Sequence, residues 1–146
     1  ARKLHACTGL PLYYLDQIWW KSDRTHIDRD EFDLKLSAIL AEEKWIIDGN
    51  YSRTYEVRMK ECDTIFFLNY GVEECLLGIH ERMGKKREDM PWIEEKEDPE
   101  LMELVLRFSA DNVPVIMELI NRYSDKDCHI FNSRDEADQW LVTYSK

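Results

Sequence analysis

Long apolar runs and an excess of positive charge are both missing from this chain. No apolar stretch approaches the roughly 20 residues that a membrane-spanning helix needs. Asp and Glu outnumber Lys and Arg by 30 to 20, which gives a formal net charge of −10. Broad contact with a nucleic-acid backbone needs a basic face, so we expect no direct DNA binding, although a local basic patch for a small anion stays open. No signal peptide is visible, and we expect a cytoplasmic protein.

Paired metal ligands are also absent from the pattern. The four cysteines have no C-x-x-C spacing, and the four histidines show no metal-ligand spacing. A structural zinc site needs four such ligands, so the sequence predicts none. Reduced, packed thiols are the expected state of Cys7, Cys62, Cys75 and Cys128.

What the chain does contain is enough apolar surface for one domain. Its 146 residues are 44% hydrophobic and 12% aromatic. Such a composition predicts a folded core rather than disorder, and the length suits a single domain spanning residues 1–146.

Short apolar strands alternate with amphipathic helices along most of the sequence. This pattern predicts an α/β fold with a parallel sheet and helices on both faces. After Met83 the alternation breaks, so residues 82–98 are either a lid-like insertion or an ordinary helical excursion. The predicted strands are residues 10–15, 45–47, 64–68 and 128–131.

Helix boundaries follow from capping signals. Asp28 with Glu31 and Ser133 with Glu136 form capping boxes, and Asp98-Pro99 supplies an N-cap followed by a proline. Gly9 ends a first helix that starts without a cap, and the chain lacks an initiator Met, so we expect a segment upstream of Ala1. The predicted core faces comprise Phe32, Leu36, Ile39 and Leu40, then Leu101, Leu104, Val105 and Phe108, then Val113, Ile116, Met117 and Ile120, and finally Ala137, Trp140 and Leu141.

Five tracts that span nearly the whole chain carry a family resemblance: Ala1–Leu4, Leu12–Trp20, Trp45–Tyr51, Asp63–Asn69 and Arg82–Arg87. The first looks like the helix that continues from a Walker A loop, G-x-x-x-x-G-K-[ST]. The next three resemble strands of the DNA topology modulation (FlaR-related) proteins, a family of adenylate-kinase-like P-loop proteins. The last resembles their lid.

The resemblance implies a three-layer α/β/α P-loop NTPase fold of the adenylate/shikimate kinase type. It implies ATP and Mg²⁺ as cofactors, with a nucleotide and a small-molecule acceptor as partners. The first strand and the Walker A loop, which hold the main phosphate site, are missing from this sequence and would lie upstream of Ala1. Relatives often have an acidic residue and a proline where this chain has Asn69 and Gly71, which weakens any magnesium role for Asn69.

Two carboxylates follow predicted strands, where open α/β sheets bind ligands. Asp16 is expected to orient an acceptor hydroxyl or hold a magnesium-bound water; the alternative is a helix cap. Asp48 resembles the acidic residue of the D-G-x-x-R turn of nucleotide kinases. Arg53, one residue later than in that pattern, is then the acceptor-binding cation. The alternative is an ordinary Asp-Gly turn.

Cations follow in the lid-like stretch, where Arg82 and Arg87 resemble the R-x-x-G-R lid of nucleotide kinases. Arginine forks suit phosphate oxygens. The resemblance implies a catalytic and nucleotide-binding role for Arg82 and a substrate-binding role for Arg87. A solvated helix end is the alternative, because cations are favoured near a helix C-terminus.

Two further groups complete the candidate site. The loop Asn132, Ser133 and Arg134 follows the last strand, and related kinases often border the adenine there; the capping box also explains Ser133 without a ligand. Trp19 is a candidate for stacking on a substrate, with core packing as the alternative.

Three functions remain open at this point. The first is an ATP-dependent phosphotransferase acting on a small acceptor. The second is a non-catalytic nucleotide-binding regulatory protein linked to DNA topology. The third is a protein-interaction domain, for which Asp16, Asp48, Arg53 and Arg82 need not surround one cleft.

Overall fold

The computed structural model describes residues 1–144 and contains four strands and eight helices in that range. They form two compact units, one made of Ala1–Tyr51 and Gly84–Glu94, the other of Ser52–Met83 and the residues from Glu95 onward. The first unit holds α1 (Arg2–Thr8), β1 (Leu12–Tyr14), α2 (Leu15–Trp19), α3 (Arg29–Leu40) and β2 (Ile46–Asp48). The second holds a 3₁₀ turn (Ser52–Thr54), α4 (Tyr55–Glu61), β3 (Thr64–Leu68), α5 (Val72–Arg82), α6 (Pro99–Asp111), α7 (Val113–Arg122), β4 (Asp127–Phe131) and α8 (Arg134–Tyr144).

Each unit has one parallel pair of strands, so residues 1–144 contain two parallel sheets of two strands each. In the first unit β1 pairs with β2, from Leu12 opposite Ile46 to Tyr14 opposite Asp48. In the second unit β3 pairs with β4, with Thr64 opposite Asp127 at one end. The carboxyl ends of paired strands therefore lie together in each unit.

Helix α3 builds the core of the first unit. Its apolar stripe buries Phe32, Leu36 and Ile39, as predicted. Phe32 and Leu36 cluster with Leu15, which is 0% exposed. The predicted cap is confirmed as well, because the Glu31 backbone N–H donates to Asp28 Oδ1 over 2.8 Å.

Strand β1 is shorter than the sequence predicts. The apolar run favours a strand through Leu15, but β1 ends at Tyr14 and α2 begins at Leu15. Turning into a helix at this point lets the Leu15 side chain enter the core beside α3. Asp16 consequently lies in the first turn of α2, two residues beyond the strand.

The core of the second unit lies between its sheet and two helices. Ile65 and Phe67 of β3 pack with buried residues of α4 and α7. On the opposite face, Phe66 contacts Trp140 of α8, with ring centroids 5.1 Å apart. Trp140 is thus directed inward, as predicted, and both faces of this sheet carry a helix.

The predicted core face of α6 is wrong at Leu104, which is 41% exposed. The predicted cap is present, since the Glu100 backbone N–H donates to Asp98 over 2.9 Å. No residue of α6 is fully buried. Helix α6 packs mainly against α5 and α7, so its apolar periodicity marks helix–helix contact.

Candidate functional site

Two predicted carboxylates lie at one edge of the first unit's sheet. Asp48 is the last residue of β2 and pairs with Tyr14, the last residue of β1. Asp16 follows Tyr14 by two residues. The carboxyl ends of parallel strands are where open α/β sheets bind ligands. Burial is the main reason that the pKa of Asp16 is raised, and the nearby Asp48 charge raises it further.

The turn after β2 depends on Gly49. Its φ is 148°, a conformation that side chains rarely adopt, and a Cβ at this position would lie 2.8 Å from Leu15 Cβ. Only glycine lets the chain pass so close to the start of α2. Tyr51 then follows with a φ of 45°, in the left-handed region that a bulky residue rarely occupies.

This path brings the Tyr51 side chain to Asp16. The Tyr51 hydroxyl donates to Asp16 Oδ1 over 2.7 Å. Its ring stacks on Phe32, with centroids 5.2 Å apart. Burial, followed by the nearby Asp16 charge, raises the pKa of Tyr51 far above its ordinary range. The phenol therefore stays protonated and acts as a donor.

Competing effects set the proton affinity of Asp16. Burial is the largest, and it raises the pKa because it disfavours the charged carboxylate. The Tyr51 hydrogen bond lowers the pKa, Asp89 and Asp48 raise it, and Arg87 lowers it. The net result is a raised pKa, which makes Asp16 a stronger base than an ordinary aspartate.

Arg87 belongs to the same unit as Asp16, within segment 84–94. Its guanidinium is 3.0 Å from Glu94 Oε2 and 3.5 Å from Asp89 Oδ1, and its side chain is only 15% exposed. The segment contacts α2, because Gln17 Nε2 donates to the Glu88 carbonyl over 2.9 Å. The structure thus brings Asp16, Asp48 and Arg87 together, with Arg87 already paired to carboxylates.

Trp19 is half-buried in the same unit. One ring face stacks on His26, with centroids 4.3 Å apart. Its edges meet Phe32 and Tyr51 in T-shaped contacts, at 5.6 and 6.3 Å. These contacts orient Trp19 beside the Asp16–Tyr51 pair.

The remaining predicted cations lie in the second unit. Arg53 is exposed in the 3₁₀ turn, and Arg82 is the half-buried last residue of α5. Arg134 begins α8 and is held to α5. Its guanidinium lies 2.9 Å from Glu81 Oε2, and its backbone N–H donates to Glu74 over 2.9 Å.

The predicted capping box at the start of α8 is confirmed. The Glu136 N–H donates to Ser133 Oγ over 3.2 Å, and the Asn132 N–H donates to Glu136 Oε2 over 2.7 Å. Asn69 Nδ2 also donates to Asn132 Oδ1 over 3.4 Å. Asn69, Asn132 and Ser133 therefore meet at the carboxyl ends of β3 and β4.

Three of the four cysteines lie where burial disfavours ionisation of the thiol. Burial raises the pKa of Cys62, Cys75 and Cys128, which disfavours the nucleophilic thiolate. Across the same residues, no group of three or more His, Cys, Asp or Glu side chains is arranged to hold a metal ion.

Comparison with known proteins adds no relative: no family model, no curated protein and no solved structure matches the chain. Among the described helices, none combines the length and the apolar character needed to cross a membrane.

Sequence reasoning missed two residues of this site, Tyr51 and Asp89. The available signal for Tyr51 was its position directly after the Asp48-Gly49-Asn50 turn, which returns the chain toward the sheet edge. Asp89 gave no comparable signal, because it lies in a polar connector of mixed charge.

Proposed function

We propose that the chain is the body of a cytoplasmic ATP-dependent phosphotransferase of the nucleotide-kinase type, acting on a small acceptor. The observation that carries the proposal is the position and environment of Asp16. This residue lies at the carboxyl edge of a parallel strand pair, its pKa is raised, and Asp48 stands at the end of the neighbouring strand. Such a carboxylate suits a general base that takes a proton from an acceptor hydroxyl.

Phosphoryl transfer depends mainly on positioning and on stabilising charge. Within the second unit, the family resemblance alone supports Arg82 and Arg53 as cations for phosphate groups and Asn132 to Arg134 as residues that border a nucleotide. Arg87 can bind an anionic acceptor by exchanging Asp89 and Glu94 for phosphate oxygens. Residues 1–144 offer no three-ligand metal cluster. In the family that the chain resembles, the phosphate cradle is a Walker A loop of the pattern G-x-x-x-x-G-K-[ST], which the given sequence does not contain.

ATP binding tests the proposal directly. We would compare the protein expressed from its native start codon with the 146-residue chain, each with and without Mg²⁺. The expected result is Mg²⁺-dependent binding by the longer protein only. Binding by neither protein would remove the basis for catalysis and favour an interaction role. Binding without multiple-turnover ATP consumption, across a screen of hydroxyl acceptors, would indicate a regulatory nucleotide-binding protein.

Asp16 provides the matched catalytic test. Asp16→Asn keeps an acceptor for the Tyr51 hydroxyl but cannot take a proton. With an identified acceptor, kcat should fall by about 10²–10⁴-fold while ATP affinity stays close to that of the wild type. An equal loss of ATP binding would instead assign Asp16 a structural role.

A further inference from the structure

Tyr51 occupies a position that favours a different residue type. Its φ of 45° is left-handed, where glycine and asparagine are common and bulky residues are outliers. Strained backbone of this kind persists where the surroundings hold it, and it clusters at functional sites. Here the Tyr51 ring is held by Phe32 on one side and by the edge of Trp19 on another.

The result is a hydroxyl with a fixed position. It donates to Asp16 Oδ1 over 2.7 Å. A phenylalanine would fill the same space against Phe32 and Trp19, so the packing alone does not call for the hydroxyl. The group that distinguishes tyrosine from phenylalanine is the one that meets the candidate base.

We infer that Tyr51 is the positioning residue of Asp16: its hydroxyl fixes one carboxylate oxygen, Oδ1, so that the other, Oδ2, accepts the proton of the acceptor hydroxyl. This inference rests on the proposed phosphotransferase function. In the step, the acceptor oxygen bonds to the γ-phosphorus of ATP and the bond from that phosphorus to the β-γ bridging oxygen breaks. ADP leaves, and the acceptor proton moves to Asp16.

Four groups of the first unit act electrostatically on Asp16. Tyr51 and Asp48 approach from the end of β2, and Asp89 and Arg87 from segment 84–94. Of these, Tyr51 is the one that forms the hydrogen bond. Its loss would leave the raising effects of burial, Asp89 and Asp48 opposed mainly by Arg87.

Tyr51→Phe removes the hydroxyl and keeps the ring. Tyr13→Phe is the matched control, because the Tyr13 hydroxyl also donates to a carboxylate, that of Glu42, over 2.7 Å, and it lies on the same strand pair. In a ¹³C NMR titration of the aspartate carboxyl groups, Asp16→Asn identifies the Asp16 signal. We expect Tyr51→Phe to raise the pKa of Asp16, and Tyr13→Phe to leave it unchanged.

Activity gives an independent second readout. With the protein from its native start codon, Mg²⁺·ATP and water as the probe acceptor, the acidic limb of the pH–rate profile should move to higher pH in Tyr51→Phe only. If Tyr51→Phe does not fold, Tyr51→Asn relaxes the backbone and also removes the bond between this hydroxyl and Asp16.

The two readouts separate the two claims. An Asp16 pKa that is unchanged in Tyr51→Phe overturns the positioning role, whatever the activity. A raised Asp16 pKa with an unmoved acidic limb overturns its use in the reaction. Absence of ATP turnover by the wild-type protein at every pH, with water and with each hydroxyl acceptor of the screen, overturns the proposed function itself, and the catalytic use of Tyr51 with it.

Discussion

The guanidinium of Arg134 occupies the space in which a side chain at Gly78 would stand. Gly78 lies on α5 between Glu74 and Glu81, the two carboxylates that hold Arg134. The absence of a side chain at this point lets the arginine guanidinium approach the backbone of α5. Arg134, which was predicted to border a nucleotide, therefore also connects α8 with α5 through these ion pairs.

Gly78→Ala should show this relationship in a double-mutant cycle. In an Arg134→Ala background it should stabilise the protein by about 1 kcal/mol, because alanine favours the helix. In the wild-type background the gain should be smaller by up to about 1 kcal/mol, since the displaced arginine loses exposed ion pairs. Urea unfolding of the four proteins measures both. Equal effects in the two backgrounds would contradict the contact.

Asp16→Asn should stabilise the protein at pH 7. The pKa of Asp16 is raised above its ordinary value of 3.8 on folding, so its stabilising contribution is present below that value and is lost as pH rises through the folded pKa. At pH 7 the charged, half-buried carboxylate opposes folding, and asparagine removes the charge. Urea unfolding measured from pH 7 down to acidic pH should show that the stability gain of Asp16→Asn over the wild type shrinks as the pH approaches 3.8.

Asp23→Asn is the control of opposite sign. Hydrogen bonds from Thr25 lower the pKa of Asp23, so its contribution is present above its ordinary value and is lost as pH falls. This variant should be less stable than the wild type at pH 7 and approach it in acid. Parallel pH trends for the two variants would refute the burial argument at Asp16.

Tyr55 and Asn112 form a hydrogen bond in the core of the second unit, with Asn112 Nδ2 donating to the Tyr55 hydroxyl over 3.2 Å. Both residues are at least 90% buried. Tyr55→Phe leaves a buried donor on Asn112 without this acceptor, which should destabilise the protein by about 1–3 kcal/mol. The double variant Tyr55→Phe/Asn112→Ala should lose less stability than the sum of the losses in the two single variants. Additive losses in chemical denaturation would show that the pair is not coupled.

Helix α3 offers a large residue on each face. Phe32 is 1% exposed and Leu34 is 73% exposed. Phe32→Ala should destabilise the protein by about 3–5 kcal/mol, because it leaves a cavity beside Leu15 and Tyr51. Leu34→Ala should change stability by less than about 0.5 kcal/mol. Comparable losses of stability for the two variants in thermal or urea unfolding would contradict the burial of Phe32 and the exposure of Leu34.

Local signals were sufficient to predict most elements. The caps at Asp28 and Asp98 and the capping box at Ser133 depend on residues within three positions, and strand β3 was predicted with the bounds that the structure has. The end of β1 and the exposed Leu104 were not predictable in this way. Both depend on which distant surface the chain meets, which periodicity does not encode.

The candidate site was only partly readable for the same reason. Asp16 and Asp48 could be singled out because parallel strand ends share an edge. The Tyr51 contact needs a left-handed backbone at a bulky residue, and no propensity favours that. The pairing of Arg87 with Glu94 needs a loop that is closed by the Gly84 N–H donating to the Glu94 carbonyl. Gly84 and Glu94 are ten positions apart, and no local sequence signal predicts their contact.

The division of the first unit between residues 1–51 and 84–94 has a consequence for synthesis on the ribosome. The strand pair and α3 leave the ribosome first, while Arg87 and Asp89 follow only after β3 and α5 have been made. At a synthesis rate of about 5–20 residues per second, segment 84–94 is completed several seconds after the strand pair. During that interval Asp16, Asp48 and Tyr51 have been synthesised but Arg87 and Asp89 have not, so Tyr51 is the first of the hydrogen-bonding and cationic partners that Asp16 can meet.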